Sequence, residues 1–244
     1  AREIGFEQIN IDLIAGMLEE TEDNWKACVA KVIEMAPDSI TIYQMEVPYN
    51  TTIYKRMKED GKLAAPVADW ETKRRWTDYA YNELAKNGYT VTSAYTAVKD
   101  SSKVTFEYRD RLWAGADLLA VGVASFGHIG GTHYQNHHDF DPYIEQLNNG
   151  ELPISRALTP SDDERLIREF ILQLKLGSVS LQYFTDKFGT NTAERFTEPL
   201  QRIADWGFLT INGDRVNINR EGLLQVDRLL HEFFLPEHRN ARYA

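Results

Sequence analysis

The chain has 244 residues, 43% hydrophobic and 26% charged, the balance of a globular protein able to bury one large or two modest cores. A net charge of −10 repels phosphate backbones and excludes nucleic acid as a default partner, and the longest apolar run, around Leu118 to Ala124, falls far short of the ~20 residues that span a bilayer. One cysteine excludes an internal disulfide and fits a reducing, cytoplasmic compartment.

The opening residues Ala1 to Phe6 lack the basic, apolar and small-residue order of a signal peptide and read as a helix end entering a strand, so the chain is expected to begin mid-fold. The segment Asn10 to Gly16 reads as that strand. Ile9, Ile11 and Leu13 share one face, and Asn10 and Asp12 share the other, where polar groups suit a ligand. Thr21 followed by Glu22 and Asp23 predicts a helix start, with a cap and acidic residues at the positive end of the dipole. That helix is expected to run to about Met35 and stop at Pro37. Ser39 to Met45 is β-branched and aromatic, completing a strand-helix-strand unit whose crossover allows parallel pairing. Val47 to Gly61 reads as a connection with a short helix, and Asp69 caps a long helix that Gly88 ends. Strands are predicted at Tyr89 to Tyr95, Val104 to Tyr108 and Asp117 to Val123, the last apolar enough to be covered on both faces. The expected class is parallel α/β.

Beyond Gly150 the texture changes at Glu151-Leu152-Pro153, dividing the chain into expected domains 1–150 and 151–244. Helices are predicted near Asp162–Leu176, Ser180–Phe188 and Thr192–Trp206, then a hairpin from Phe208 to Ile218 around Asn212-Gly213. Three helices and a hairpin make a winged-helix-like shape. A last amphipathic helix is predicted from Arg220 to Phe234.

The cluster His128, His133, His137 and His138, with Asp139 and Asp141, has the donor types of a metal site. Gly130-Gly131 breaks any helix that would align His133 with His137, and polar residues collect in loops anyway, so no metal is expected. Arg109 and Arg111 suit carboxylates, yet on a strand they would pair with Glu107 and Asp110 facing solvent. Cys28, between Ala27 and Val29, reads as a small buried hydrophobe. Glu194, Glu198 and Asp205 oppose Arg195 and Arg202, leaving no basic stripe for DNA.

Three segments, Ile9 to Gly16, Pro37 to Glu46 and Asp117 to Ser125, resemble in order and spacing the oxygen-independent coproporphyrinogen III oxidase family. Tyr134-Gln135-Asn136, Tyr143 and Leu152-Pro153 extend the resemblance over nearly the whole chain. It implies the later half of a partial (β/α)6 radical-SAM-type barrel followed by the winged-helix-like domain. It implies too that the complete protein binds S-adenosylmethionine and a [4Fe-4S] cluster and acts on a tetrapyrrole. Carried over by position, Asp12 matches an acidic residue near the cofactor's ribose, Glu46 a contact after the next strand, and Phe126 a residue near the adenine. A carboxylate suits a ribose because it accepts charge-assisted bonds from adjacent hydroxyls.

The family's cluster-holding cysteine triplet is missing, and Cys28 alone cannot hold a cluster, so no metal ligand is assigned and this chain alone is expected to be inactive. If earlier barrel strands lie upstream, the edge from Ile9 to Ile14 is open to self-association. The family's Gly-Leu-Pro loop is here Gly16-Met17-Leu18, and its His-Asn pair is replaced around Tyr108-Arg109, with Trp113 retained. These departures resemble the heme-utilisation branch as much as the biosynthetic oxidases. The alternative is therefore a heme-binding or heme-chaperone module without radical catalysis. The His128–His138 segment is expected to be a porphyrin-contacting loop at the barrel mouth.

Overall fold

The computed structural model describes residues 1–48, 51–59 and 67–239. Strand β1 (Asn10–Ala15) and strand β2 (Ser39–Gln44) pair in parallel, Asn10 opposite Ser39 through Ala15 opposite Gln44. The crossover between them is α1 (Glu22–Met35), which starts where the Thr21 hydroxyl accepts the Asn24 amide at 3.2 Å. It ends at Ala36 in the left-handed region, one residue before Pro37. The connection after β2 carries α2 (Thr52–Glu59), and the last stretch of the predicted connection, to Gly61, lies outside the described residues. Helix α3 (Trp70–Lys86) opens on Asp69, whose carboxylate accepts the Thr72 amide at 2.7 Å, and gives way to Gly88 at φ +84°. α1 and α3 bury Trp25, Trp76, Ala80, Tyr81 and Leu84 with Ile40 and Ile42 of β2. The indole of Trp25 stacks 6.4 Å from Trp76 and donates to its carbonyl at 2.8 Å.

The predicted strand Tyr89 to Tyr95 is instead two short strands, β3 (Thr90–Val91) and β4 (Thr96–Val98). The Ser93 hydroxyl accepts the amides of Tyr95 and Thr96 at 3.2 and 3.1 Å and turns the chain between them. β4 therefore runs antiparallel to both β2 and β3, in the order β1-β2-β4-β3, and only the β1–β2 pair is parallel. The predicted strand Val104 to Tyr108 is a loop entering α4 (Glu107–Trp113), where Arg111 reaches Glu107 one turn back at 2.6 Å. The predicted strand Asp117 to Val123 is extended coil with a single bridge, Leu118 to His128. Positive φ at Gly122 and Ala124 interrupts any longer ladder, and Leu119 and Val121 stand 67% and 78% exposed rather than covered.

A second sheet, β5-β6-β7, is antiparallel and joins β5 (Phe126–Ile129), β6 (Thr132–Asn136) and β7 (Ile154–Leu158). Gly130 and Gly131 both have positive φ, as the tight β5–β6 turn requires. Helix α5 (Phe140–Asn148) lies between β6 and β7, so this sheet draws on residues either side of Gly150.

Helix α6 (Asp162–Leu174) starts with a capping box between Ser161 and Glu164. β8 (Ser178–Ser180) and α7 (Leu181–Phe188) follow. The predicted helix Thr192–Trp206 is split at Phe196 into α8 (Thr192–Arg195) and α9 (Thr197–Asp205), because Pro199 in the first turn of α9 has no amide to give the Arg195 carbonyl; the Phe196 ring lies in the core 4.5 Å from Phe170. β9 (Leu209–Asn212) and β10 (Arg215–Ile218) form the predicted hairpin, but Gly213-Asp214 occupy its turn. Positive φ at Gly213 alone is the type II′ pattern, one residue beyond the Asn-Gly reading. β8 completes the sheet β8-β10-β9. The last predicted helix is broken at Gln225 into α10 (Arg220–Leu223) and α11 (Val226–Leu230), followed by a short 3-10 turn, His231–Phe233. Phe170, Phe184, Phe196 and Phe233 centre this core. Arg220 to Asp78 of α3 at 3.0 Å, Gln44 to the Leu224 carbonyl at 2.8 Å and the Tyr95 hydroxyl to Asp227 at 2.7 Å tie it to the first sheet and its helix. No helix among the described residues is long and apolar enough to cross a membrane.

Candidate functional site

The first sheet has one apolar and one polar face. Ile11, Leu13, Ala15, Ile40 and Ile42 turn toward α1 and α3, while Asn10, Asp12, Ser39, Thr41, Tyr43 and Thr96 take the opposite side together with Ile14 and Val98, as strand alternation dictates. Asn10 is the hub of that side: its carbonyl oxygen accepts the hydroxyls of Ser39 at 2.9 Å and Thr41 at 3.1 Å, and its amide donates to Asp12 Oδ1 at 2.7 Å. The Asp12 carboxylate is thus held at one oxygen, while Oδ2 has no hydrogen-bond partner among the described residues. Beside it, burial and then the Asp12 charge raise the pKa of Tyr43.

Past β1 the chain turns at Gly16, φ +86°, where the amides of Gly16 and Met17 both donate to the Glu20 carboxylate at 2.8 and 3.0 Å. A Cβ on Gly16 would lie 2.7 Å from Lys73 Cγ, so only glycine lets the lysine pass. Lys73 is buried, donates to the Met45 carbonyl at 2.6 Å and lies over the Trp70 ring at 4.3 Å. Burial lowers its pKa, against the opposing charges of Glu46 and Asp69. Nothing in the sequence marked this lysine, since a helical lysine ordinarily reads as solvated. A cleft of about 610 Å³ opens between β1 and α1, lined in part by Asp12, Ile14, Met17, Glu20, Asn24 and Cys28.

Glu46 is exposed two residues past β2, near enough to Lys73 and Tyr95 to act on both their pKa values. Phe126 is 64% exposed and opens β5, in a different sheet from Asp12. Asp12 and Glu46 therefore lie on one sheet and the loop that follows it, and Phe126 opens another.

His128 and His133 face each other across β5 and β6 with ring centres 4.6 Å apart. Burial, with Arg168 adding to it, lowers both and takes His133 down to about 4. His138 pairs instead with exposed Asp139 at 3.2 Å. Among the described residues no group of three or more His, Cys, Asp or Glu is placed to hold a metal. Cys28 is half-buried on α1, its sulfur 3.9 Å from Asn24 Oδ1. Arg109 and Arg111 keep the expected partners, Asp110 at 2.8 Å and Glu107 at 2.6 Å, although on a helix rather than a strand. Arg109 reaches Thr96 Oγ1 at 3.4 Å, on the Asp12 side of the sheet.

Comparison with known proteins places this geometry among relatives. Residues 161–224 match the HemN C-terminal domain family. The whole chain is 26% identical to 56% of the oxygen-independent coproporphyrinogen III oxidase of Pseudomonas aeruginosa. It is also 24% identical to the heme chaperone HemW of Bacillus subtilis, over 96% of this chain and 60% of that protein. The chain thus spans a little over half the length of these curated relatives. Its fold is that of the solved Escherichia coli coproporphyrinogen III oxidase HemN, a radical SAM enzyme, with a TM-score of 0.75 at 20% identity over 96% of this chain and 56% of that one. The chain is therefore similar, over nearly its whole length, to the oxygen-independent coproporphyrinogen III oxidases and the HemW heme chaperones, and it carries the HemN C-terminal domain signature at residues 161–224.

Proposed function

We propose that this chain is the cofactor- and tetrapyrrole-facing part of a cytoplasmic, coproporphyrinogen III oxidase-like radical S-adenosylmethionine oxidoreductase. The observation that carries the reading is Asp12, whose carboxylate is oriented by Asn10 on the polar sheet face and keeps an oxygen for a ligand. Asp12 accepts from the ribose hydroxyls of the cofactor, Glu46 contacts it beyond β2, and Phe126 covers the adenine. On this reading the first sheet with its helices belongs to the later half of a partial (β/α)6 barrel, and the segment from α6 onward forms a winged-helix-like domain; the boundary expected at 150 falls inside the β5-β6-β7 sheet.

S-adenosylmethionine supplies the oxidising adenosyl group of radical chemistry when bound. A [4Fe-4S] cluster does not fit the residues present: it needs several converging thiolates, and Cys28 is the one cysteine in the 244 residues. On this reading its ligands come from outside these 244 residues. What these residues do is hold the ribose and line the polar face.

A second reading, a heme-binding or heme-chaperone module without radical catalysis, is favoured by the similarity to HemW of Bacillus subtilis and of Lactococcus lactis. An anaerobic assay of protein supplied with the cluster-bearing portion separates the two. Formation of 5′-deoxyadenosine that depends on added porphyrinogen supports the oxidoreductase. Stable hemin retention with no cofactor cleavage supports the chaperone.

A further inference from the structure

We infer that Arg109 is a carboxylate-binding residue, the contact for a propionate-type side arm of the ligand; the inference rests on the tetrapyrrole reading above. The guanidinium carbon lies 4.5 Å from the Phe106 ring centre and 5.2 Å from that of Trp113, so the cation is held between two aromatic faces. Its Nε donates to Asp110 Oδ1 at 2.8 Å and its Nη1 to Thr96 Oγ1 at 3.4 Å, and among the described residues Nη2 has no partner. Neighbouring residues on a helix do not face each other, so the Asp110 pair is no ordinary helix-stabilising contact and occupies only one edge of the fork. The side chain is 20% exposed, against 75% for Arg111, which merely braces Glu107 one turn back. Arg109 is gathered in over the sheet and Arg111 is not.

Its position gives the ligand class. Thr96 is in register with Thr41, which donates to Asn10, which in turn donates to Asp12. Arg109 therefore stands over the same polar face as Asp12, two strand spacings or roughly 10 Å away. One end of this face is anionic and suits hydroxyls. The other presents a cation flanked by flat apolar rings, which suits a planar apolar body carrying carboxylates, and a guanidinium fork matches a carboxylate in two bonds. The C-terminal end of α4 is anchored: Lys187 Nζ donates to the Ala114 carbonyl at 2.7 Å and Gln173 to that of Trp113 at 3.5 Å, so α6 and α7 fix the helix that bears Arg109.

The test titrates this chain with coproporphyrin, a tetracarboxylate, and with its tetramethyl ester, following tryptophan quenching. The free acid is expected to bind more tightly. Arg109→Gln is expected to weaken the acid by about ten- to a hundredfold and leave the ester unmoved. Arg111→Gln moves neither. Where the glutamine variant melts early, Arg109→Lys keeps the stem and charge but loses the fork, and it too must weaken the acid selectively. Equal affinity for acid and ester, an Arg109 variant that still prefers the acid as before, or equal losses at Arg109 and Arg111 overturns the inference and leaves the tetrapyrrole reading standing. No binding of either porphyrin by the unaltered chain overturns both.

Discussion

Lys187 sets its ammonium 2.8 Å from both oxygens of Glu169, whose side chain is 4% exposed, and so joins α7 to α6. The same ammonium caps the end of α4 through the Ala114 carbonyl. Tyr183 and Gln173 complete the satisfaction of the buried carboxylate, at 3.0 and 3.2 Å. Burial acts to lower the pKa of Lys187, but its hydrogen bond to Glu169 and the opposite charge prevail and raise it.

Lys187→Met strands that carboxylate in the core. The expected loss is about 2–3 kcal/mol in urea unfolding, below the ~3–5 of a fully buried pair because water reaches the lysine. The double variant with Glu169→Gln is expected to recover part of it. A single variant as stable as the parent would show that the clamp contributes nothing. Because the lysine pKa is raised, the contribution is complete at neutral pH and is lost only as pH rises through the folded-state value.

The facing histidines predict the opposite pH behaviour. With His133 lowered to about 4 and His128 lowered as well, the unfolded chain binds protons that the folded chain refuses. Stability is therefore complete above the ordinary histidine value of ~6.5 and falls as pH drops toward 4, by on the order of 2–3 kcal/mol for His133. Between pH 6.5 and 5 this loss precedes carboxylate protonation. His133→Asn should flatten that window in denaturant titrations; an unaltered slope would put the loss elsewhere.

Cys28 predicts a negative result. Anaerobic incubation of the chain with iron and sulfide should yield no [4Fe-4S] absorption and no matching paramagnetic signal on reduction, because one thiolate cannot hold such a cluster. About four irons per chain with that signal would contradict the account.

Among the described residues β1 pairs only with β2, leaving its other edge open beside Ile14, which is 42% exposed. An open apolar edge recruits strands. The isolated chain is expected to dimerise or to bind apolar dyes there, and Ile14→Lys should reverse either effect in light scattering or dye fluorescence. A dye-silent monomer with strongly protected amides across residues 9–14 would refute this.

Legibility followed the locality of the cause. Thr21, Asp69 and Ser161 each cap the helix that their type and position predict, since a cap is decided within one turn. The β1–α1–β2 unit and the β9–β10 hairpin were legible for the same reason, from periodicity and turn chemistry. Residues 89–123 were not. A single hydroxyl, Ser93, reverses the expected strand, and the apolar run from Leu118 reads as buried although apolarity does not say what covers it. At the site, the shared face of Asn10 and Asp12 followed from alternation alone. Lys73 beneath Gly16 and Arg109 over Thr96 are long-range meetings that no local pattern encodes.

On the proposed reading the polar face at Asp12 holds the ribose of S-adenosylmethionine. Calorimetric titration of S-adenosylmethionine into the unaltered protein and Asp12→Ala, both with the cluster-bearing portion present, tests it directly. Loss of a charge-assisted bond predicts binding weaker by ~1.5–3 kcal/mol in the variant, with its melting behaviour preserved. Unchanged affinity would remove Asp12 from the site and with it the ribose contact.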